Sequence, residues 1–345
     1  MTQRYFSLFS GAGGLDLGLI RAGFKPGLLA DESRPACATL RTAMPSAAVM
    51  NADVHDLLNL GTFTQLTAQA PVALVAGQPP LLNGRLGGAA VNPESDAPQL
   101  LYRFLDVVGQ ARPTAFIMAT LPFLTSPRWG MVLARLRRVS RDLGYDTFTP
   151  VIDAAEYGVP QHRDRLFFIG MPRGCKPDTA AAFRAPRVTA GTALRALHRQ
   201  SVRDIPCPSG VRLLPNPVLR NSPYSGSLIA GTGRMIDLRK PAPVLPSAIG
   251  GNKTPVIDIG QLEHDTDPWI EGYHDYLWRL HGTPGKYGSE GRMRRLSLRE
   301  CVVLQGFPAD YPLRGAPLAQ FKMTGAAVPP ALGEAVGRSV EAGLA

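Results

Sequence analysis

Residues 9–16 read FSGAGGLD and lie between two segments of different periodicity. The preceding segment, Tyr5 to Phe9, is apolar and predicts a strand, whereas Gly14 to Ala22 has the spacing of an amphipathic helix. A glycine loop between a strand and a helix lets a ligand approach the backbone closely and presents the free amides of the helix N-terminus to it. Such loops occur in many nucleotide and nucleoside folds, so this one predicts a ligand site and leaves the ligand open.

The alternation of strand and helix continues to about residue 170. Further strands are predicted at 27–30, 72–76, 115–118 and 166–169, and further helices at 100–108 and 132–143. This order indicates an α/β, doubly wound, mostly parallel sheet covered on both faces. Between about 171 and 290 the period is lost and Pro and Gly are dense, which predicts a small loop-rich domain. We therefore expect a large domain at 1–175, a loop-rich domain at 176–290, and a helical C-terminal segment at 291–345.

The composition favours a polyanionic partner. Among 345 residues, 37 Lys and Arg face 27 Asp and Glu, a formal charge of +10, which suits nucleic acid first. The alternative is arginine spread over a solvated surface. The four cysteines, at 37, 175, 207 and 301, form no CxxC pair and no zinc pattern, so we predict no metal site and a reducing, cytoplasmic location. Neither a signal peptide nor a membrane-length apolar stretch is present, so a membrane is not expected.

Acidic residues follow two of the apolar runs. Asp31, with Glu32 beside it, ends the second strand, where an acid commonly accepts hydrogen bonds from a ribose. Asp53 follows the third apolar run and could accept from an adenine amine. The alternative for Asp31 and Asp53 is helix capping or a solvated loop.

Residues 9–18, FSGAGGLDLG, resemble the cofactor loop of the DNA cytosine-5 methyltransferases. Four other blocks agree with that family in the same order: YGVPQHRDR at 157–165, GGNKTP at 250–255, RLSLRE with LQGFP between 295 and 308, and GAAVPP at 325–330. The last block has Ala326 where the family usually has Asn. The likeness spans nearly the whole chain and therefore predicts the fold, though not the activity.

The resemblance implies a methyltransferase fold with a small recognition domain and a C-terminal segment, 291–345, that returns to the large domain. It also implies S-adenosylmethionine as the cofactor and double-stranded DNA as the partner. The residues that it assigns to the cofactor are Phe9, Gly11, Ala12, Gly13, Gly14, Leu15, Asp31, Asp53 and Val328. Those that it assigns to DNA are Arg85, Arg163, Arg165, Asn252 and Lys253, while Gln161 is retained with Arg163 and Arg165 near the catalytic loop. Arginines at 135–141 could also neutralise phosphate, or could form a solvated helix face.

The two catalytic positions depart from the family pattern. The family's Pro-Cys-Gln after the fourth strand is Pro80, Leu81 and Leu82 here, so leucine stands in the place of the nucleophile. The family's Glu-Asn-Val after the fifth strand is Ala119, Thr120 and Leu121, so Ala119 replaces the carboxylic acid. A thiolate must add to carbon 6 of cytosine before carbon 5 can attack a methyl sulfonium, and neither replacement can take part in that chemistry.

Three hypotheses follow. The first is an inert homologue that binds DNA and S-adenosylmethionine and acts as a regulator or partner subunit of an active methyltransferase or another DNA-modification or defence protein. The second is non-covalent methylation of an exocyclic amine through Gln78-Pro79-Pro80, which resembles the loop of amine methyltransferases but lacks its aromatic residue. The third is an active cytosine-5 methyltransferase whose catalytic groups are supplied otherwise or by a partner chain.

Overall fold

A computed structural model describes residues 3–80, 98–200, 202–288 and 291–345. The chain forms two compact units: Met1–Tyr157, Asp164–Ala185 and Ala327–Ala345 make the first, and Gly158–Arg163 with Pro186–Ala326 make the second. The structure thus has other limits than those expected at 175/176 and 290/291. Residues 291–326 lie in the second unit because strand Met293–Arg295 pairs there with Val256–Asp258. The chain returns to the first unit at Ala327.

The strands and helices are numbered in chain order. The strands are β1 (Arg4–Leu8), β2 (Lys25–Asp31), β3 (Ala48–Asn51), β4 (Leu74–Gly77), β5 (Ala115–Thr120), β6 (Tyr145–Phe148), β7 (Val151–Asp153), β8 (Asp164–Pro172), β9 (Leu213–Val218), β10 (Ser227–Ile229), β11 (Val256–Asp258) and β12 (Met293–Arg295). The helices are α1 (Gly14–Arg21), α2 (Arg34–Ala43), α3 (Val54–Asn59), α4 (Thr62–Gln69), α5 (Gln99–Ala111), α6 (Gly130–Asp142), α7 (Ala190–His198), α8 (Ile259–His264), α9 (Trp269–Trp278), α10 (Leu298–Leu304), α11 (Pro317–Ala326) and α12 (Pro330–Leu344).

The first unit is built on one mixed sheet with the strand order β3-β2-β1-β4-β5-β8-β6, and β7 also pairs with β8. The pairs among β1 to β5 are parallel, whereas β8 is antiparallel to β5, β6 and β7. The predicted mostly parallel α/β sheet is confirmed. The carboxyl ends of β1, β2, β4 and β5 lie at one edge, which is where ligands bind in open sheets of this kind.

Helices cover both faces of this sheet. Successive side chains of each strand point to opposite faces, so both faces are apolar and pack against helices. Phe6, Val75, Phe116 and Met118 pack into one core with the apolar sides of α3, α4, α5 and α6. On the other face α1 packs against α12 at very short range. A Cβ atom on Gly18 would lie 2.3 Å from the carbonyl oxygen of Pro330, so the two backbones touch where glycine stands.

The second unit has two small antiparallel pairs, β9 with β10 and β11 with β12. Its apolar core gathers around Trp269, Ile270 and Tyr273 on the inner side of α9. Buried charges supplement this small core. The Arg295 guanidinium donates to the carbonyl oxygens of Thr254 and Ala230 at 2.6 and 2.9 Å, which ties loops together where repeating secondary structure is sparse. In the described part of the chain, no helix is both long and apolar enough to cross a membrane.

Candidate active site

The predicted cofactor loop leaves the carboxyl end of β1 in a conformation that depends on positive φ angles. Phe9, Gly11 and Gly13 have φ values of 53°, 54° and 79°. The loop closes on itself through the amide of Gly13, which donates to the carbonyl oxygen of Ser10 at 2.8 Å. A Cβ atom on Gly11 would meet no atom within 4 Å, so open space adjoins the backbone there. The loop therefore offers an accessible main chain at the N-terminus of α1, as the glycine pattern predicted.

Asp31 holds this loop against β2. Its two carboxylate oxygens accept hydrogen bonds from the amides of Gly11 and Ser33, both at 2.8 Å. Burial raises the pKa of Asp31, although these two hydrogen bonds oppose that rise. Asp31 thus has a scaffolding contact that the sequence did not predict. Its neighbour Glu32 is exposed and borders a cavity beside the cofactor loop. Glu32 is therefore the more accessible of the two acids for a ribose.

A cavity beside the loop combines apolar walls with carboxylates. It is lined by Leu8, Phe9, Ala30, Asp31, Glu32, Ala52, Asp53, Val54, Leu57, Pro80 and Leu100. Asp53 caps α3 by accepting a hydrogen bond from the amide of His55 at 2.7 Å, which is the capping alternative considered for it. Apolar surfaces beside acidic acceptors match the chemistry of an adenosine, so the residues present fit the nucleoside part of S-adenosylmethionine.

The other predicted cofactor residues are buried. Ala12 precedes α1, Gly14 and Leu15 begin it, and Val328 precedes α12 in the same unit. Leu15 packs against α12, since a Cβ atom on Gly333 would lie 2.7 Å from the carbonyl oxygen of Leu15. Any contact from this group to a ligand would therefore come chiefly from main-chain atoms.

The catalytic loop begins at the same edge of the sheet. The amide of Gln78, directly after β4, donates to the carbonyl oxygen of Leu8 at 3.2 Å, so the start of this loop lies beside the cofactor loop. Pro79 and Pro80 follow. Leu81, Leu82 and the predicted DNA contact Arg85 lie outside the described residues.

Ala119 occupies a closed position near the end of β5. It is fully buried and pairs with Phe167 of β8. Its neighbour Thr120 is 3% exposed, and the Thr120 hydroxyl has no hydrogen-bond partner among the described residues. The position that carries a carboxylic acid in the family thus has a methyl group inside the protein.

The predicted block at 161–165 forms buried hydrogen bonds instead of an open polar surface. Gln161 donates to the carbonyl oxygen of Leu304 at 3.0 Å and accepts from the amide of Leu245 at 3.0 Å. Arg163 donates to the carbonyl oxygens of Leu245 and Gly325 at 2.9 and 2.7 Å. In the first unit, Arg165 donates to the carbonyl oxygen of Ala327 at 3.4 Å.

Both of these arginines are 5% exposed. The predicted phosphate contacts of Arg163 and Arg165 require accessible guanidinium groups, and the structure uses these groups to bind main-chain carbonyls. The sequence did not predict these contacts because the carbonyl partners, at 245, 325 and 327, lie far from the two arginines in sequence.

The turn at 250–255 presents its polar side chains to solvent. The Thr254 hydroxyl accepts hydrogen bonds from the amides of Gly250 and Gly251 at 2.8 and 3.2 Å, which fixes the turn. Asn252 and Lys253 are exposed at its tip. This placement suits the DNA contacts predicted for them, which stay predictions.

The aromatic residues of the second unit divide into two groups. Trp269 is buried and stacks on Tyr273 with ring centroids 4.7 Å apart, and Tyr224 packs against the same core. Trp278, at the end of α9, is 46% exposed and stacks on His274. Trp269 and Tyr224 thus stabilise the small core, whereas Trp278 has a face open to solvent.

The accessibility of Glu32 and the burial of Asp16 carry little sequence signal. Glu32 directly follows Asp31 in sequence, and the fold exposes Glu32 while it partly buries Asp31. Asp16, the last residue of the segment 9–16, is fully buried in the first turn of α1, and burial raises its pKa to about 6. From the sequence alone, an acid in the first turn of a helix is expected to be solvated, whereas Asp16 is buried.

Comparison with known proteins supports the sequence resemblance. The profile of the C-5 cytosine-specific DNA methylase family matches residues 3–210 and 251–342. The Type II methyltransferase M1.HphI of Haemophilus parahaemolyticus is 27% identical over 345 residues, covering 99% of this chain and 87% of that protein. The Type II methyltransferase M.Eco47II of Escherichia coli is 28% identical over 342 residues, covering 96% of this chain and 77% of that protein.

Solved structures share the fold at low sequence identity. A prophage-encoded E. coli protein, described as a DNA modification methyltransferase, superposes with a TM-score of 0.69 at 18% identity and covers 99% of both chains. The Dnmt2 methyltransferase of S. pombe gives a TM-score of 0.64 at 14% identity, covering 100% of this chain and 98% of the other. With the family profile matched along most of its length and the glycine loop at the carboxyl edge of the sheet, this chain belongs to the C-5 cytosine-specific DNA methylase family.

Proposed function

We propose that the protein is an inert homologue of the DNA cytosine-5 methyltransferases that binds S-adenosylmethionine and duplex DNA and acts as a regulatory or partner subunit. The observation that carries this proposal is the buried methyl group of Ala119 where the family has a carboxylic acid. In sequence, Leu81 stands where the family has its nucleophilic cysteine.

The missing groups are those that make cytosine reactive. Without a covalent nucleophile, carbon 5 of the ring is too weakly nucleophilic to accept a methyl group. Loss of such a nucleophile costs on the order of 10⁶ in rate in other enzymes, and acid–base help contributes roughly 10²–10⁴. A side chain of leucine offers no lone pair, and alanine offers no proton.

The described cysteines are poor substitutes. Cys37 and Cys301 are buried in helices, and burial is the main cause that raises the pKa of each thiol. Cys175 follows the end of β8, at the edge of the sheet opposite the cofactor loop. Cys207 donates through its Sγ to the Thr254 hydroxyl within the second unit. A reactive thiolate needs an electropositive, partly exposed setting, which Cys37 and Cys301 lack.

Cofactor binding is supported by the loop rather than by the catalytic positions. The open space at Gly11, the start of α1 and the exposed carboxylate of Glu32 remain suited to a nucleoside with a charged substituent. S-adenosylmethionine, where bound, would supply an electrophilic methyl group. The residues of this chain would hold and orient it.

DNA binding is supported by charge and by the turn at 250–255. The chain carries a formal charge of +10, and Asn252 and Lys253 are exposed at the turn's tip. Contacts to phosphate raise affinity and make it fall with salt. In such a complex this chain would bind DNA or the cofactor, and the partner subunit would catalyse any methyl transfer.

An active cytosine-5 methyltransferase is the second candidate, and the relatives described as Type II methyltransferases favour it. Under that hypothesis a partner chain or another group supplies the thiolate and the acid. Gln161 donates hydrogen bonds to the Gln305 side chain and to the Leu304 carbonyl. Under this hypothesis these hydrogen bonds would support a working active site.

Three measurements on the purified chain test the proposal. We expect calorimetry to detect S-adenosylmethionine binding, fluorescence anisotropy to detect duplex DNA binding, and a labelled-methyl assay to give no product on cytosine. Gly11→Val is the control, because its side chain would enter the open space and disfavour the positive φ, so cofactor binding should be lost while the fold persists. Labelled methyl transfer by the wild-type chain, once a host enzyme is excluded, would overturn inertness, and absence of cofactor binding would overturn the first half.

A further inference from the structure

Helix α6 carries an exposed arginine surface that no described carboxylate neutralises. Its members are Arg135, Arg137, Arg138 and Arg141 on α6, with Arg112 after α5 and Arg173 after β8; all six are exposed. None of the six forms an ion pair with a described acid, whereas exposed arginines elsewhere in the first unit do. Arg103 pairs with Asp106 at 3.0 Å and Arg338 pairs with Glu334 at 2.9 Å.

The geometry places this surface away from the candidate cofactor site. Helix α6 connects β5 to β6, which run in the same direction, so α6 ends at the amino edge of the sheet. Arg173 donates to the carbonyl oxygen of Arg141 at 3.1 Å, and Tyr145 donates to the carbonyl oxygen of Pro113, next to Arg112. Three of the arginines therefore converge at the amino edge, about one strand length, roughly 20 Å, from the carboxyl edge.

The remaining members extend along the solvent side of α6. Residues 132, 133, 136 and 140 are its buried positions, which leaves Arg138 and Arg141 on the opposite side and Arg137 at its margin. Arg135 lies to one side, over the ring of Tyr102 at 4.3 Å from its centroid, and Arg137 donates to the Thr149 hydroxyl. The neighbouring acids are Asp142 and Asp146, and the Asp146 carboxylate already accepts the amide of Gly174.

Like charges lie close together on this helix, and an anionic partner would relieve their repulsion. Arg135 and Arg138, Arg138 and Arg141, and Arg137 and Arg141 are three or four residues apart, spacings at which like charges destabilise a helix. Arginine favours phosphate because its planar donors match phosphate oxygens. We propose that the α6 arginine surface is a second binding site for duplex DNA, which contacts the phosphate backbone without reading sequence. The inference deepens the proposed function and rests on its DNA-binding part.

A stoichiometry measurement separates the two sites. The probe is a 12-base-pair duplex of random sequence, titrated by anisotropy and by calorimetry at low salt. The test variant carries Arg135→Gln, Arg137→Gln, Arg138→Gln and Arg141→Gln, since glutamine keeps helix propensity. The control variant carries Arg21→Gln, Arg103→Gln, Arg184→Gln and Arg338→Gln, which removes the same charge from scattered exposed positions of the first unit.

We expect the wild type and the control to bind two duplexes and the α6 variant to bind one. The dependence of log affinity on log salt at the lost site should amount to about one unit for each arginine that contacts a phosphate. If the wild type binds one duplex and the α6 variant still binds it, the second site is refuted and the proposed function stands. If the α6 variant binds none, the surface is the DNA site and the proposed recognition at 250–255 fails. If the wild type binds no duplex but binds polyglutamate through α6, both proposals are refuted in favour of an acidic protein partner.

Discussion

At the scale of single residues, two buried acids respond to pH in opposite directions. Asp16 is fully buried, its two carboxylate oxygens have no hydrogen-bond partner among the described residues, and burial raises its pKa to about 6. Because its pKa in the folded chain exceeds the unfolded value near 3.8, its stabilising contribution is complete below the unfolded value and is lost as pH rises through about 6. At neutral pH the buried charge costs on the order of 3 kcal/mol.

Asp16→Asn removes this charge and keeps the shape of the side chain. We expect the variant to be more stable than wild type at pH 7.5, by up to about 3 kcal/mol, and to lose most of this advantage by pH 4.5. Thermal unfolding at both pH values measures the difference, with the exposed Asp142→Asn as control. A variant that is equally destabilised at both pH values would show that the Asp16 carboxylate is stabilised by contacts outweighing its burial.

Glu300 is the opposite case. Burial alone would raise its pKa, but hydrogen bonds from Arg294 at 2.6 and 2.7 Å and from His198 at 2.8 Å, with the Arg294 charge, lower it to about 2. Its contribution is present above the unfolded pKa near 4.5 and is lost as pH falls toward 2. Acid should therefore weaken the contact between α7 and α10.

Glu300→Gln should destabilise the chain by about 3 kcal/mol at pH 7, since Arg294 then keeps a partly buried charge without a counter-ion. Urea unfolding at pH 7 and pH 4 gives the magnitude and its pH dependence. The matched change Glu334→Gln breaks the exposed pair with Arg338 and should cost less than about 1 kcal/mol. Equal effects of the two changes would mean that burial adds nothing to the Glu300 ion pair.

At the scale of elements, the crossing of α1 and α12 depends on two glycines, Gly18 on α1 and Gly333 on α12. A Cβ atom on Gly18 would approach Pro330 and Glu334 main-chain atoms at 2.3 and 2.4 Å, and neither backbone can yield without moving a helix. We expect Gly18→Ala to destabilise the chain by roughly 1–3 kcal/mol, measured by thermal unfolding. Gly109→Ala on α5 is the control, because its Cβ would meet the Leu143 side chain at an ordinary 3.5 Å. That change should stabilise the helix by up to about 1 kcal/mol, and a similar gain at Gly18 would refute the close approach.

Sequence periodicity predicted the elements whose apolar residues repeat locally. It placed the limits of β1, α1, β5 and α6 within two residues of those observed. It did not predict α9, although Trp269, Ile270, Tyr273 and Leu277 have helical spacing, because the Pro-rich stretch around them favoured loops. The uses of Asp31 and Arg163 depend on Gly11, Leu245 and Gly325, which are distant in sequence and become partners through the fold.

At the scale of the whole molecule, the catalytic residues of this family come from separate strand ends, so no single substitution can restore them. Leu81 and Leu82 follow β4 in sequence and Ala119 lies in β5. A thiolate without an acid, or an acid without a thiolate, leaves one step of the methylation unassisted, and such effects are strongly non-additive. The scaffold can nevertheless be tested as a unit, because the cofactor loop and the Gln161 hydrogen bonds are formed.

We expect Leu81→Cys, Leu82→Gln and Ala119→Glu together to give labelled methyl transfer to cytosine, and each change alone to give none. The matched control replaces Leu81→Cys by Leu81→Ser with the other two changes retained, and it should stay inactive because a hydroxyl is a far weaker nucleophile than a thiolate. Ala119→Glu places a carboxylate at a fully buried position, so thermal unfolding and S-adenosylmethionine binding of the triple variant are measured first. If that variant is folded and binds the cofactor yet transfers no methyl group, the geometry beyond the three positions has diverged too, and the chain has lost the catalytic arrangement as well as its reacting groups.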